Sequence, residues 1–142
     1  MSDIIGIRGY DFVEFYVGSA RMVAYWYAKA LGLEMTGYRG PETGVRDRVS
    51  YYLTKNNLKL VITSAAQPSC FEVANFVARH GDGVKRWAVE VDDVDQAFEY
   101  ATKHGAVMVE RPNKIENEHG YVTRAAIRLY DDTELVYVNR DN

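Results

Sequence analysis

Few side chains in this sequence can do chemistry, and their placement limits what that chemistry could be. The residues to weigh are three histidines (His80, His104 and His119), a single cysteine (Cys70), and the charged residues Glu14, Arg86, Glu90 and Glu134. His80 and His104 each precede a glycine at a predicted helix end, where an imidazole can meet exposed carbonyls and the negative pole of the helix. His119 falls in a predicted hairpin loop, so all three histidines are assigned to capping or solvent rather than to a shared metal. Cys70, between Ser69 and Phe71 at a helix start, is expected to pack rather than react. Glu14 and Glu90 alternate with apolar residues; without partners, they are expected to face solvent or a domain interface. Arg86 points opposite to its neighbour Trp87. If it is buried it must be paired, with Glu14 as one candidate, so a structural ion pair is expected ahead of an anion site. There is no nucleophile elbow and no paired-histidine helix. The Gly81-Asp82-Gly83 turn lacks the lysine spacing and following helix of a phosphate loop. Trp26 and Trp87 are read as core residues.

The elements that position these residues form a repeat. His80 to Val109 begins with a Gly-Asp-Gly turn and continues as a strand through Val84, Arg86, Trp87, Val89 and Val91. Asp93, with Gln96 three residues on, caps a helix whose Val94, Ala97, Phe98 and Ala101 share one side. That helix stops at His104-Gly105 and a second strand follows from Val107 to Glu110. Tyr10 to Met35 has the same plan: a strand with Val13, Phe15 and Val17, a helix entered at Ser19 and closed by Gly32, and a strand from Glu34. The two strands superimpose at an offset of 74 residues and the two helices at 73. Each unit then gains two more strands. In the first these are Val49–Thr54 and Leu58–Thr63, turned at Lys55-Asn56-Asn57; in the second, Tyr121–Tyr130 and Glu134–Asn139, turned at Asp131-Asp132, after a loop from Arg111 to Gly120. The expected organisation is a leader (1–9), a first βαβββ module (10–64), a connecting helix (65–82) and a second βαβββ module (83–142). The fold class is α+β: two paired modules forming a curved mixed sheet with helices outside and a cup inside. The leader, with Ile4, Ile5 and Ile7, either adds a strand or only leads in.

Composition narrows the function classes. A chain of 142 residues, 47% apolar and 26% charged, fits one soluble domain that buries about two-thirds of its unfolded surface. A net charge of −3 argues against a nucleic-acid footprint. Arg39, Arg46 and Arg48, interrupted by Glu42 and Asp47, are read as solvated loop charges. One cysteine excludes an internal disulfide and suits a reducing compartment; no apolar run reaches membrane-spanning length, so a cytoplasmic protein is expected. Eleven tyrosines suit sheet surfaces that meet a partner.

The duplicated β-α-β-β-β plan resembles the vicinal oxygen chelate (glyoxalase/bleomycin resistance) superfamily. Several segments resemble, more closely, the amino-terminal domain of the 4-hydroxyphenylpyruvate dioxygenase family. They are Phe12-Val13-Glu14-Phe15 with Val17-Gly18 and Ala20; Tyr27 with Ala30-Leu31-Gly32; and Tyr38-Arg39-Gly40 with Glu42-Thr43-Gly44. Further on come Ser64-Ala65, His80-Gly81-Asp82-Gly83-Val84-Lys85, and Glu90-Val91. Hydroxymandelate synthase is similar over the same half.

The resemblance implies a two-domain parent that uses Fe(II) and O2 to convert 4-hydroxyphenylpyruvate to homogentisate and CO2, in tyrosine catabolism. It implies that the iron lies in a further C-terminal domain, the expected partner of this chain. In metal-binding relatives the ligands sit on the opening strand of each module and on a closing strand, and here the repeat puts Phe12 and Arg86 at the opening positions. Neither can ligate, since phenylalanine has no lone pair and arginine stays protonated. Leu58–Ile62 offers no carboxylate, and Glu134 stands at the start of its strand without partners; a substitute would fall near Val136 or Tyr137. No catalytic, cofactor or metal residue is therefore assigned within this chain, which is expected to be inactive alone and to serve scaffolding and homo-oligomer contact. The alternatives are a stand-alone small-molecule binding protein of the bleomycin-resistance type, and the first half of a hydroxymandelate synthase.

Overall fold

Ser19 and Asp93 start the two repeat helices in the same way. Each is extended in backbone and each accepts a hydrogen bond from the amide three residues on, Met22 at 3.5 Å and Gln96 at 3.1 Å. The helices close alike as well, on Gly32 (φ 73°) after the first and on His104 followed by Gly105 (φ 99°) after the second. The computed structural model describes residues 3–141, and around these helices it runs β1 (Ile7–Tyr16), α1 (Ala20–Leu31), β2 (Glu34–Arg39), β3 (Arg48–Lys55) and β4 (Leu58–Ala65). After α2 (Phe71–His80) come β5 (Gly83–Val91), α3 (Val94–Lys103), β6 (Val107–Asn117), β7 (Gly120–Tyr130) and β8 (Thr133–Asn139). The chain is thus α+β, with the β-α-β-β-β sequence occurring twice and α2 between the copies. Ile7, Arg8 and Gly9 of the leader open β1.

The chain divides into two compact units: Phe12–Lys85, and a second comprising the residues up to Asp11 together with those from Arg86 onward. Within the first unit the strand order is β2-β3-β4-β1, with β1 parallel to β4 and the other pairs antiparallel. Within the second the order is β5-β8-β7-β6, again with one parallel pair, β5 with β8. Val13 lies opposite Leu60 in one unit and Trp87 opposite Leu135 in the other, so the internal likeness extends to strand register.

Each helix covers one face of its own strands. In the first unit Val17, Ala20, Ala24, Leu53, Leu60 and Ile62 form one core with Val13 and Phe15 against it. In the second, Val89, Val91, Val94, Ala97, Phe98 and Tyr137 form another. α2 builds a third cluster, laying Cys70, Val73 and Phe76 on Tyr16, which alternation directs away from α1.

Two expectations about the strands and the core change. The segment from Arg111 onward is strand as far as Asn117: β6 pairs with β7 through Asn117↔Gly120, and the turn is only Glu118-His119. Pro112, which reads as a loop residue, sits where the register shifts between Glu110 and Asn113, on the last strand in the unit's order; a proline that cannot donate is tolerated there. The tryptophans are not core, since Trp26 is 57% exposed and Trp87 37% exposed. Leu53, fully buried under α1, is the stronger anchor. Leu53→Ala is expected to destabilise the protein by about 3 kcal/mol in urea unfolding, as cavity-forming changes in cores do.

Candidate functional site

The faces left uncovered by α1 and α3 carry the polar residues, and these residues bind one another. In the Phe12–Lys85 unit Glu14 is 9% exposed, not solvated as its sequence setting suggests. It accepts a hydrogen bond from Thr63 Oγ1 at 2.8 Å. Thr63 sits opposite Ser50 across the β3–β4 ladder, and their hydroxyl oxygens are 2.7 Å apart. Since Thr63 spends its single proton on the carboxylate, Ser50 is the donor of that second bond. The result is a three-strand buried relay, Ser50 to Thr63 to Glu14.

At the α2 end of the same unit, Tyr16 donates to Glu72 Oε1 at 2.8 Å. Arg48 Nη2 reaches Glu72 Oε2 and Asp47 Oδ2, both at 3.2 Å. Arg48 is therefore a strand residue tying β3 to α2, not a solvated loop charge. Cys70 donates its thiol to Asp47 Oδ2 at 3.5 Å. Burial pushes the Cys70 thiol above its ordinary pKa, and the Arg48 hydrogen bond holds the Asp47 carboxyl below its own, so Cys70 is kept as an inert thiol. Lys85, buried, lies 5.8 Å and 5.7 Å from the ring centres of Tyr16 and Phe76. Sequence reasoning did not single out Lys85; its position beside Arg86, alternating into the other face of β5, was the available signal.

In the second unit Arg86 and Glu134 are register partners across the parallel β5–β8 pair, and Arg86 Nε lies 3.3 Å from Glu134 Oε1. Their side chains are only 15% and 13% exposed. This corrects two readings: Glu134 does have a partner, and it is Glu134 that supplies a carboxylate to Arg86. Glu90, half-buried, accepts from Arg8 at 3.4 Å, and Arg8 also holds Asp92 and Asp141. Val136 is fully buried and Tyr137 lies in the α3 core. Phe12 offers no lone pair and Arg86 is paired with Glu134, a donor set that does not suit Fe(II), for which two imidazoles and a carboxylate are usual.

The histidines stand at element ends. His80 closes α2 with its ring 4.9 Å from that of Phe76. His104 Nδ1 lies 2.8 Å from the Tyr100 carbonyl, which only accepts, so that nitrogen carries the proton. His119 is exposed in the β6–β7 turn, 3.3 Å from Glu118. Two of the family-like segments, around residues 40–44 and Gly81-Asp82, are turns held by hydrogen bonds. Thr43 Oγ1 takes the Gly40 amide at 2.9 Å, Tyr38 donates to Glu42 at 2.7 Å, and a side chain at Gly40 would collide with the Tyr38 hydroxyl. That hydrogen bond raises the Tyr38 pKa to about 12. Asp82, in turn, accepts the Gly18 amide at 2.8 Å and so fastens the start of β5 to the turn before α1.

This architecture, two βαβββ copies whose helices back one face of each, defines a class. Residues 9–134 match the family model described as Glyoxalase/Bleomycin resistance protein/Dioxygenase superfamily, and the chain belongs to that superfamily. It is 36% identical over 136 residues to 4-hydroxyphenylpyruvate dioxygenase of Yarrowia lipolytica, covering 94% of this chain and 34% of that protein. To the Dictyostelium discoideum protein of the same name it is 37% identical over 135 residues, covering 94% of this chain and 37% of the relative. The chain therefore spans about a third of the length of these curated relatives. A mutant of 4-hydroxymandelate synthase from Streptomyces coelicolor superimposes with a TM-score of 0.86 at 28% identity, covering 99% of this chain and 40% of that one. Methylmalonyl-CoA epimerase from Mycobacterium tuberculosis, at TM-score 0.75 and 17% identity, shares the fold. Among the described residues no helix is long and apolar enough to cross a membrane.

The Arg86–Glu134 pair is directly testable. Arg86→Met alone leaves a largely buried carboxylate and is expected to destabilise by about 3 kcal/mol, whereas Arg86→Met with Glu134→Leu recovers most of that loss. Urea unfolding of the two single variants and the double variant measures the coupling.

Proposed function

We propose that the chain is the metal-free, N-terminal module of a 4-hydroxyphenylpyruvate dioxygenase-like enzyme, whose parent converts 4-hydroxyphenylpyruvate and O2 to homogentisate and CO2. The observation that carries this reading is identity of 36–37% along nearly the whole chain to dioxygenases of which it spans only about a third. Fe(II), which supplies the O2 and decarboxylation chemistry, belongs to a C-terminal module in this reading. The residues of this chain act by holding shape: Glu14, Thr63 and Ser50 join three strands, and Arg86 with Glu134 joins two more. The chain scaffolds the catalytic module and supplies contacts between copies, to which the exposed Val107, Met108 and Ile115 of the outer strand β6 lend themselves. A cytoplasmic setting suits its free thiol. Hydroxymandelate synthase is the second reading, supported by the superposition with that enzyme. The same substrate would then yield 4-hydroxymandelate.

Product analysis separates these readings. The open frame is expected to continue past Asn142 into a second pair of modules bearing two histidines and a carboxylate. The full-length, Fe(II)-loaded product should then form homogentisate from 4-hydroxyphenylpyruvate under air, while the 142-residue chain forms none. Turnover by the short chain would overturn the assignment of roles, and 4-hydroxymandelate as product would move the protein to the second reading.

A further inference from the structure

A cavity of about 380 Å3 opens on the Phe12–Lys85 unit beside β1 and the first two turns of α1. Phe15, Trp26 and Tyr27 supply aromatic walls, with Met22 and the buried Val17 alongside. The Tyr27 ring lies 6.1 Å from that of Phe15 and 5.2 Å from that of Trp26, the second pair nearly perpendicular at 84°. Asp82 adds a carboxylate to the lining, and none of the lining residues is cationic. Its Oδ1 is held by the Gly18 amide at 2.8 Å, so the charge is fixed in place instead of swinging free on a loop. Trp26 and Met22 leave 57% and 68% of their surface in solvent, an apolar exposure that core packing does not explain.

The electrostatics of this lining have one sign. Aromatic faces are negative, and a carboxylate is more so; together they attract a cation that also has apolar surface and repel an anion. The volume lies within the range of small-molecule pockets and accommodates an ammonium head joined to one ring. We propose that this pocket binds a small organic cation, an alkylated ammonium bearing an aromatic or similarly apolar group, with Trp26 and Tyr27 against the head and Asp82 balancing its charge. The proposal rests on the pocket alone and is independent of which oxygenase the chain belongs to.

Benzyltrimethylammonium chloride is the probe, titrated into the 142-residue chain by calorimetry and followed in parallel by the indole N–H resonances of Trp26 and Trp87. Saturable binding at one site is expected, shifting the Trp26 resonance and not that of Trp87. Trp26→Leu should weaken affinity roughly tenfold, and Asp82→Asn, which keeps an oxygen for the Gly18 amide, roughly fivefold. Phenylacetate, with the same ring and the opposite charge, should bind at least about tenfold more weakly. Because Trp26 is largely exposed, its substitution leaves the fold intact and keeps the test decisive even if Asp82→Asn lowers the melting temperature. Absence of saturable binding, equal affinity for phenylacetate, or undiminished affinity in both variants would each overturn the proposal.

Discussion

A β-α-β-β-β repeat has one helix and a sheet with two faces, so its helix can cover only one of them. Everything on the other face must be satisfied by other means, because an unpaired polar group or charge removed from water is costly. The two units meet this constraint differently. In Phe12–Lys85 a further helix, α2, lays Val73 and Phe76 over Tyr16, and the remaining polar atoms close into the Ser50–Thr63–Glu14 relay and the Arg48–Glu72–Tyr16 cluster. In the second unit charges pair along the strands, Arg86 with Glu134 and Arg124 with Glu110 at 2.7 Å.

Side chains on the faces opposite α1 and α3 are free to diverge, because the helices pack on the other side. On the proposed reading, Phe12 and the paired Arg86 keep the folding plan while offering no metal ligands. In the reading proposed above, retention of the fold without those ligands gives a parent enzyme a rigid module with its strand edges available for association. Two of the segments that resemble dioxygenases are self-bonded turns. Tyr38 to Gly44 and Gly81 to Gly83 are fixed by hydrogen bonds among their own residues or, through Asp82, to Gly18. Such segments tolerate few substitutions for structural reasons alone.

The repeat was legible because its signals are local and physical. Ser19 and Asp93 cap, Gly32 and Gly105 terminate, and period-two apolar residues define the strands between; each of these has its expected place in the structure. Pairings were less legible. Arg86 and Glu134 are 48 residues apart and meet only because β5 and β8 lie parallel in one particular register, which no short-range pattern encodes. Arg48 reads as a loop charge because its sequence neighbours are polar, yet α2 brings Glu72 to it. Trp26 departs from its sequence reading for a different reason: helical spacing identifies a face, but whether anything covers that face is a tertiary fact. Pro112 hid the length of β6, since an outer strand with a register shift admits a residue that a central strand rejects.

The most direct test of the claim that paired side chains have taken the place of metal ligands is an anaerobic titration of the purified chain with Fe(II), followed by desalting and elemental analysis. The account predicts no more than trace iron on the wild-type chain. One equivalent of iron retained per chain, and lost on Glu134→Gln, would contradict it.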